Sequence, residues 1–347
     1  MKKVLVTGGL GFIGSHTAVE LLARGYRVVI ADNLSNTRPE VLDGIERIAG
    51  QRPEWVNVDL ADQSRCRTFL AAHDDLDGII HFAASKAVGE SVEKPIAYYA
   101  NNLGSLCLLL DWLREHSECA FIFSSSCTVY GQAETLPIRE DAPVKPAESP
   151  YGNTKQIGEE IIRDAVRAHG LRAIALRYFN PIGAHPSAAI GELPLGVPQN
   201  LVPFITQSAA GLRGPLKVFG NDYPTRDGTA IRDYIHVVDL AQAHIVAMER
   251  LLAGEATEPF EVFNLGTGKG STVLEVIQAF DRAAGDATVE WQFAPRRAGD
   301  VIEAWADTSR AAEVLGWRAE RSLDEAMADA WRWQVALGAA APDDGTR

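Results

Sequence analysis

The chain has 347 residues, of which 46 are acidic and 33 basic, for a formal charge of −13. At roughly 150 residues per domain there is room for about two domains, and hydrophobic and charged shares of 46% and 23% exclude intrinsic disorder. A pI near 5.1 argues against a nucleic-acid or anionic-membrane binder, which needs a basic field, although a few local arginines suffice to hold a small polyanion.

From the N-terminus, Met1-Lys2-Lys3 is followed by too few apolar residues for a secretory h-region. No later stretch approaches 18 uncharged apolar residues, so no membrane span is expected. Val4-Leu5-Val6 is a short apolar run that meets glycines at once, as a buried parallel strand entering a tight turn does. From Phe12 the apolar spacing becomes helical, with Gly25 where a C-cap glycine belongs. Residues 27–31 then form a second strand ending at Asp32, which completes a strand–helix–strand unit.

The alternation continues with strands at 56–58, 78–82, 120–123 and 173–178, separated by helices at 63–72, 95–115 and 153–169. This pattern predicts an α/β fold, a Rossmann-type doubly wound parallel sheet with ligands outside the strand carboxyl ends. Residues 181–230 are rich in Pro and Gly and read as long loops lining a site. Helices near 239–252, 272–284 and 323–337 and strands at 260–264 and 289–293 complete a smaller C-terminal α/β lobe, 181–338, that partly returns to the domain formed by 1–180. Residues 339–347 read as a flexible tail. Cys66, Cys107, Cys119 and Cys127 have neither C-x-x-C spacing nor a neighbouring His cluster. They read as reduced, mostly buried thiols of a cytoplasmic protein, with no metal site.

Glycines at 8, 11 and 14 follow the first strand, and Phe12 and Ile13 open the helix. The turn needs an unhindered residue, the backbone must approach a pyrophosphate closely, and Gly14 lets helix and strand pack tightly. The helix N-terminus adds amide donors and partial positive charge. Asp32, 18 residues after Gly14, can accept bonds from a ribose diol and would repel a 2′-phosphate, which favours NAD over NADP. Asn33 stands beside it, and Arg38 is the kind of residue that would serve NADP. Asp59-Leu60 is placed to meet the adenine, or is an ordinary strand-end turn.

Tyr151 and Lys155 are four apart at a helix start, hence on one face. A phenol of ordinary pKa near ~10 is a poor base at neutral pH. A neighbouring ammonium and an oxidised nicotinamide both favour the phenolate. Ser124-Ser125-Ser126 closes the 120–123 strand, where one hydroxyl could relay a substrate proton to Tyr151, or where the serines merely form a capping turn.

The segments 7–16, 81–91, 123–131, 149–155 and 177–186 resemble the extended short-chain dehydrogenase/reductases. Gly220-Asn221-Asp222-Tyr223-Pro224-Thr225, Arg232-Asp233-Tyr234-Ile235-His236-Val237 and Pro295-Arg296-Arg297 narrow the likeness to the UDP-glucose 4-epimerase family, over about residues 3–335. The resemblance implies tightly held NAD and reversible C4 inversion of UDP-glucose and UDP-galactose through a 4-keto sugar. By position it implies Tyr151 as base, Lys155 tuning it and holding the nicotinamide ribose, and Ser126 as proton relay. Further cofactor contacts implied are Phe82, Ala83, Lys86, Asn101, Ser124 and Tyr178. Ligands implied for the sugar, diphosphate and uridine are Asn180, Asn200, Phe219, Arg232, Arg297 and Asp300. Two arginines at such positions would supply charge-assisted bonds to a diphosphate.

Two departures from the family pattern stand out. Ala84-Ser85 replaces a common Gly-Leu beside the nicotinamide. Ala304 stands where an aromatic residue narrows the pocket, so UDP-N-acetylglucosamine and UDP-N-acetylgalactosamine are expected as further substrates. A 4,6-dehydratase would need an Asp-Glu pair after the strand-end hydroxyl, a decarboxylating relative a Glu; Ser126 is followed by Cys127-Thr128-Val129. A non-catalytic NAD sensor would usually lack Tyr or Lys, and both are present. Leu106, Leu109 and Leu110, with Ile157, Ile161 and Ile162, give two helices apolar residues on more than one face. A four-helix homodimer interface is expected from them and from the family.

Overall fold

The computed structural model describes residues 1–297 and 301–340. Its centre is a seven-stranded, wholly parallel sheet in the order Phe260–Leu265, Ala173–Tyr178, Ala120–Ser126, Gly78–His81, Lys3–Thr7, Arg27–Asp32, Glu54–Asn57. Alternate side chains sort to the two faces, as a period of two requires. Val4, Val6, Ile30, Ile80 and Ile122 pack under helices Phe12–Ala23 and Val237–Leu252. Leu5, Val29, Ile79, Phe121 and Phe123 pack against helices Gln63–Ala71, Pro95–Leu113 and Pro150–His169. The chain runs outward from Lys3–Thr7 to Glu54–Asn57, then crosses back to Gly78–His81 on the other side of the first strand. That reversal opens a crevice at the carboxyl edge, where such folds bind ligands.

A smaller cluster formed by Val202, Ile205, Val218, Phe280 and Met327 is the core of the distal part. It gathers helices Leu201–Ala209, Val273–Ala283 and Leu323–Ala340, with strand Leu216–Phe219 paired to Trp291–Ala294. The region 181–230 is therefore not simply loop. Its Pro203 sits in the first turn of helix Leu201–Ala209, where a missing N–H costs nothing, so the residue that looks like a breaker belongs to the helix start. The strand expected at 289–293 is Trp291–Ala294. The last helix reaches Ala340, so 339 and 340 are helical rather than tail, and 341–347 lie outside the described residues.

Leu106, Leu109 and Leu110 are buried inside the subunit at 5% exposure or less, and Ile162 is fully buried, so they cannot face a partner as expected. The outward face of the first of these helices carries Ile96, 78% exposed, and Cys107 instead. Cys66 and Cys119 are buried, Cys127 is partly buried, and all four thiols are free. Among the described residues no helix is long and apolar enough to cross a membrane, and no group of side chains could hold a metal ion.

Candidate active site

The first strand ends at Thr7 and the chain turns through Gly8, whose φ is +65°. Close approach sets these glycines. A Cβ on Gly8 would lie 2.9 Å from Ala83 N, and one on Gly14 would lie 2.3 Å from Gly8 O. Helix Phe12–Ala23 begins after Gly11 with no side-chain cap and no acidic residue in its first turn. Its leading amides, at Phe12, Ile13 and Gly14, thus meet no carboxylate among the described residues, as an anion site requires. Asp32 ends the second strand and accepts from Leu10 N at 3.0 Å and Leu34 N at 2.9 Å. Burial raises its carboxyl pKa, and those two amides oppose the rise. The carboxylate therefore ties the glycine turn to the second strand while keeping lone pairs for a diol. Asn33 and Asp59 cap their own turns, accepting from Ser35 N and Ala61 N, and Leu60 is buried in the core. The residues present fit an NAD group.

Across the crevice, Phe82 N donates to Thr7 O at 3.1 Å and Ala83 N to Thr7 Oγ1 at 3.2 Å. Asn102, which the sequence did not single out, accepts from Ser85 N at 2.8 Å and donates to Ser85 O at 3.0 Å and to Thr154 Oγ1 at 3.1 Å. It pins the loop after the fourth strand to the helix that carries Tyr151 and Lys155. Asn101 donates to Ser85 Oγ at 3.2 Å.

That helix spans Pro150–His169 and starts three residues earlier than expected. Ser149 caps it by accepting from Gly152 N at 3.1 Å, and Pro150 occupies the first turn. Ser124, Ser125 and Ser126 lie within the Ala120–Ser126 strand, fully in register with Leu176–Tyr178, rather than in a capping turn. Ser126 Oγ then accepts from Thr128 N at 3.2 Å and starts the short turn Cys127–Tyr130. Ser126 is also the side chain that favours the Tyr151 phenolate against burial. Lys155 is buried, donates to Ser124 O at 2.6 Å, and lies 5.9 Å from the centre of the Tyr151 ring. Ser124 Oγ and Tyr178 OH are 2.5 Å apart.

Burial brings the Lys155 pKa down to about 8, opposed by Glu159 one turn further on. Burial also pushes the Tyr151 hydroxyl well above an ordinary phenol, with Tyr178 adding to the rise and Ser126 opposing it. Within the chain itself, without the nicotinamide that is also expected to favour the phenolate, desolvation dominates at Tyr151.

On the distal side, strand Asn180–Ile182 pairs with Tyr234–His236, and Ile231–Arg232 pairs with Glu303–Ala304, setting Ala304 opposite Arg232. Ala304 packs on the cluster of Val129, Tyr130, Ile138, Phe179 and Ala306, which Cys127 also touches. Arg297 lies 4.0 Å over the Phe219 ring, while Arg296 is held by Asp222 Oδ1 at 2.7 Å. Asp300 lies outside the described residues. Glu192, also missed by sequence reasoning, accepts from Asn200 Nδ2 at 2.6 Å and from Lys86 Nζ at 3.4 Å. It joins a residue expected on the sugar to one expected on the cofactor; nothing in its local pattern marks it.

A parallel sheet reversing at a glycine turn, answered by Asp32, with Ser126, Tyr151 and Lys155 on the facing strand and helix, is the constellation of a short-chain dehydrogenase/reductase-type enzyme. The family model for GDP-mannose 4,6 dehydratase matches residues 5–330. The UDP-glucose 4-epimerase of Bacillus subtilis is 48% identical over 332 residues, covering 95% of this chain and 96% of that one. A UDP-glucose 4-epimerase from Stenotrophomonas maltophila, crystallised with NAD and formylated UDP-arabinopyranose, superposes with a TM-score of 0.93 at 44% identity, covering 98% of this chain and all of that one. The UDP-Glc/GlcNAc 4-epimerase of Campylobacter jejuni gives 0.82 at 34% identity, with 97% and 100% covered. The chain belongs to the UDP-glucose 4-epimerase family. The dehydratase chemistry in the matching model's name has no counterpart after Ser126, where Cys127-Thr128-Val129 carries no carboxylate.

Proposed function

We propose that the protein interconverts UDP-glucose and UDP-galactose by C4 epimerisation, with NAD held in the crevice and Tyr151 as base. The observation that carries this reading is buried Lys155, bonded to Ser124 O at 2.6 Å and 5.9 Å from the centre of the Tyr151 ring, with Ser126 ending the same strand at the sheet edge that holds the glycine turn. Bound NAD supplies a reversible hydride acceptor and a positive ring charge next to that phenol. Ser126 takes the 4-OH proton as its own passes to Tyr151, and the same pair returns a proton after the keto sugar has turned over. Lys155 gives the phenolate a nearby ammonium and the ribose a donor. Residues 1–180, with the returning helix Val237–Leu252 and strand Phe260–Leu265, hold NAD; the remainder to 338 holds the sugar nucleotide through Asn200, Phe219, Arg232 and Arg297, joined by Asn180 from the end of the first part. Purified protein should release NAD on denaturation and convert UDP-galactose to UDP-glucose with no net NADH. Stoichiometric NADH would assign it to the dehydrogenases instead.

What supports a 2-N-acetyl sugar as a further substrate is the small side chain of Ala304, which lies opposite Arg232 and beside the turn after Ser126. UDP-N-acetylgalactosamine is expected as a second substrate, and Ala304→Tyr should cut its kcat/KM by about tenfold or more while UDP-galactose turnover persists. Equal loss on both sugars would remove Ala304 as the determinant. The outward faces of helices Pro95–Leu113 and Pro150–His169, with Ile96 and Leu103 on one and Ile157 and Ile161 on the other, are assigned to a two-fold homodimer. Sedimentation should give a dimer, and Ile96→Asp with Leu103→Asp a monomer; a wild-type monomer would discard this interface.

A further inference from the structure

Behind the reacting side chains lies a buried ion pair that the proposed chemistry does not use. Arg177 is 4% exposed and Glu159 3%. Arg177 Nε donates to Glu159 Oε1 at 2.9 Å and Nη2 to Oε2 at 2.6 Å. Ser125 Oγ donates to Glu159 Oε1 at 2.5 Å. The remaining guanidinium nitrogen, Nη1, reaches Tyr130 OH at 3.0 Å and Glu140 O at 3.2 Å, and Tyr130 OH donates on to Asn264 Oδ1 at 2.6 Å.

Each member sits next to a residue of the site. Glu159 is one helical turn beyond Lys155 on the same face. Ser125 separates Ser124, whose carbonyl accepts from Lys155, from Ser126. Arg177 precedes Tyr178, which is bonded to Ser124. One pair thus grips the strand, the helix and the neighbouring strand that present the reacting groups.

A buried ion pair is a poor device for stability alone, because well-packed apolar residues would serve as well. Its arrangement relative to Lys155 is more specific. Both carboxylate oxygens are taken by Arg177 and Ser125, so Glu159 offers Lys155 a negative charge without capturing its N–H groups. These stay on Ser124 O and the crevice. The other groups facing Lys155 are neutral: the Phe123 ring at 4.9 Å, the Tyr151 ring, and His81 on strand Gly78–His81, held uncharged by burial with a pKa of about 3. Glu159 favours the ammonium against burial.

We propose that Glu159 and Arg177 are positioning residues for the reaction, an anion held at a fixed distance by its own guanidinium so that Lys155 stays charged and in line with Ser126 and Tyr151. The proposal rests on the reading of those three residues as the proton-handling set. Its test is the pH profile of kcat and the KM for UDP-galactose in wild type, Glu159→Gln, Glu159→Gln with Arg177→Met, and Lys155→Met.

Glu159→Gln leaves an unbalanced guanidinium near Lys155. The alkaline limb of kcat should move down by about one pH unit, with kcat at pH 9 lowered about tenfold and KM changed less than about twofold. The double variant removes both charges and should recover at least about half of that shift, which a purely structural role would not do. An unmoved limb in Glu159→Gln, or a double variant no better than the single one, overturns the proposal. If Glu159→Gln does not fold, Glu159→Asp carries the test: the limb should stay in place with kcat lowered about tenfold by the shorter reach, and unchanged kcat overturns the proposal. Lys155→Met separates the two readings. Near wild-type kcat there removes the role of Lys155 itself, whereas an inactive Lys155→Met beside an unaltered Glu159→Gln removes only the role of the pair.

Discussion

Tyr151→Phe is expected to lower kcat for UDP-galactose by about a thousandfold, within the range that a lost general acid–base group produces. NAD content and UDP affinity should stay near wild type. The helix start does not depend on the phenol: Ser149 caps Gly152 N, and Pro150 sets the first turn. Removing the hydroxyl leaves Ser126 Oγ accepting from Thr128 N at 3.2 Å, so the relay stays in place with nowhere to pass its proton. Because burial pushes the Tyr151 hydroxyl up, the acid limb of the wild-type profile should report NAD occupancy as much as the chain, and stripping the cofactor should shift the phenol's titration upward. Coupled turnover assays, calorimetry with UDP and nucleotide analysis after denaturation measure the three quantities. Activity within tenfold of wild type would end the assignment of Tyr151 as base.

The second large effect is expected at Gly14. A methyl group there would sit 2.3 Å from Gly8 O and 2.8 Å from Gly9 Cα. Both are backbone atoms of the turn and neither can swing aside as a side chain would. Gly14→Ala must lift the helix off the strand end or distort the turn, at a cost of about 1–3 kcal/mol. It should also displace the leading amides from the diphosphate, so the purified variant should carry little NAD and melt at a lower temperature. Gly11→Ala is the contrast, since its Cβ would meet only Gly8 O, at 3.1 Å. Wild-type NAD content in Gly14→Ala would contradict close packing as the reason for this glycine.

Much of the sheet is legible in the sequence, because a strand covered on both faces is a nearly continuous apolar run. Val4–Val6, Ile79–Ile80 and Phe121–Phe123 have no other sensible reading. The candidate residues of the glycine turn, with Asp32, Tyr151 and Lys155, stand out because their chemistry is local and their spacing fixed, whereas Ser126 is singled out from three adjacent serines only by the family resemblance. The distal part is harder to read. Two-residue strands such as Ile231–Arg232 and Glu303–Ala304 have no periodicity of their own and exist through partners far along the chain. Helix Leu201–Ala209 hides behind its proline, and the short helix Val88–Glu93 is mostly exposed, with no apolar stripe to betray it. Asn102, Glu159, Arg177 and Glu192 carry charge or amides in ordinary helix, strand or loop contexts. Their roles come from bonds to residues 8 to 106 positions away, which spacing cannot show.

The seventh strand, Phe260–Leu265, lies beside Ala173–Tyr178 although some eighty residues of the distal part are threaded between them. The two halves are therefore interleaved and cannot be parted by a cut in the chain. A fragment ending at residue 180 would lack the helix Val237–Leu252 that covers Ile122, Ile174 and Leu176 and would bare the edge of strand Ala173–Tyr178, a template for self-association. The proposed cofactor and sugar sites thus share one set of packed elements, and a lesion in the distal core is expected to empty the nucleotide crevice as well.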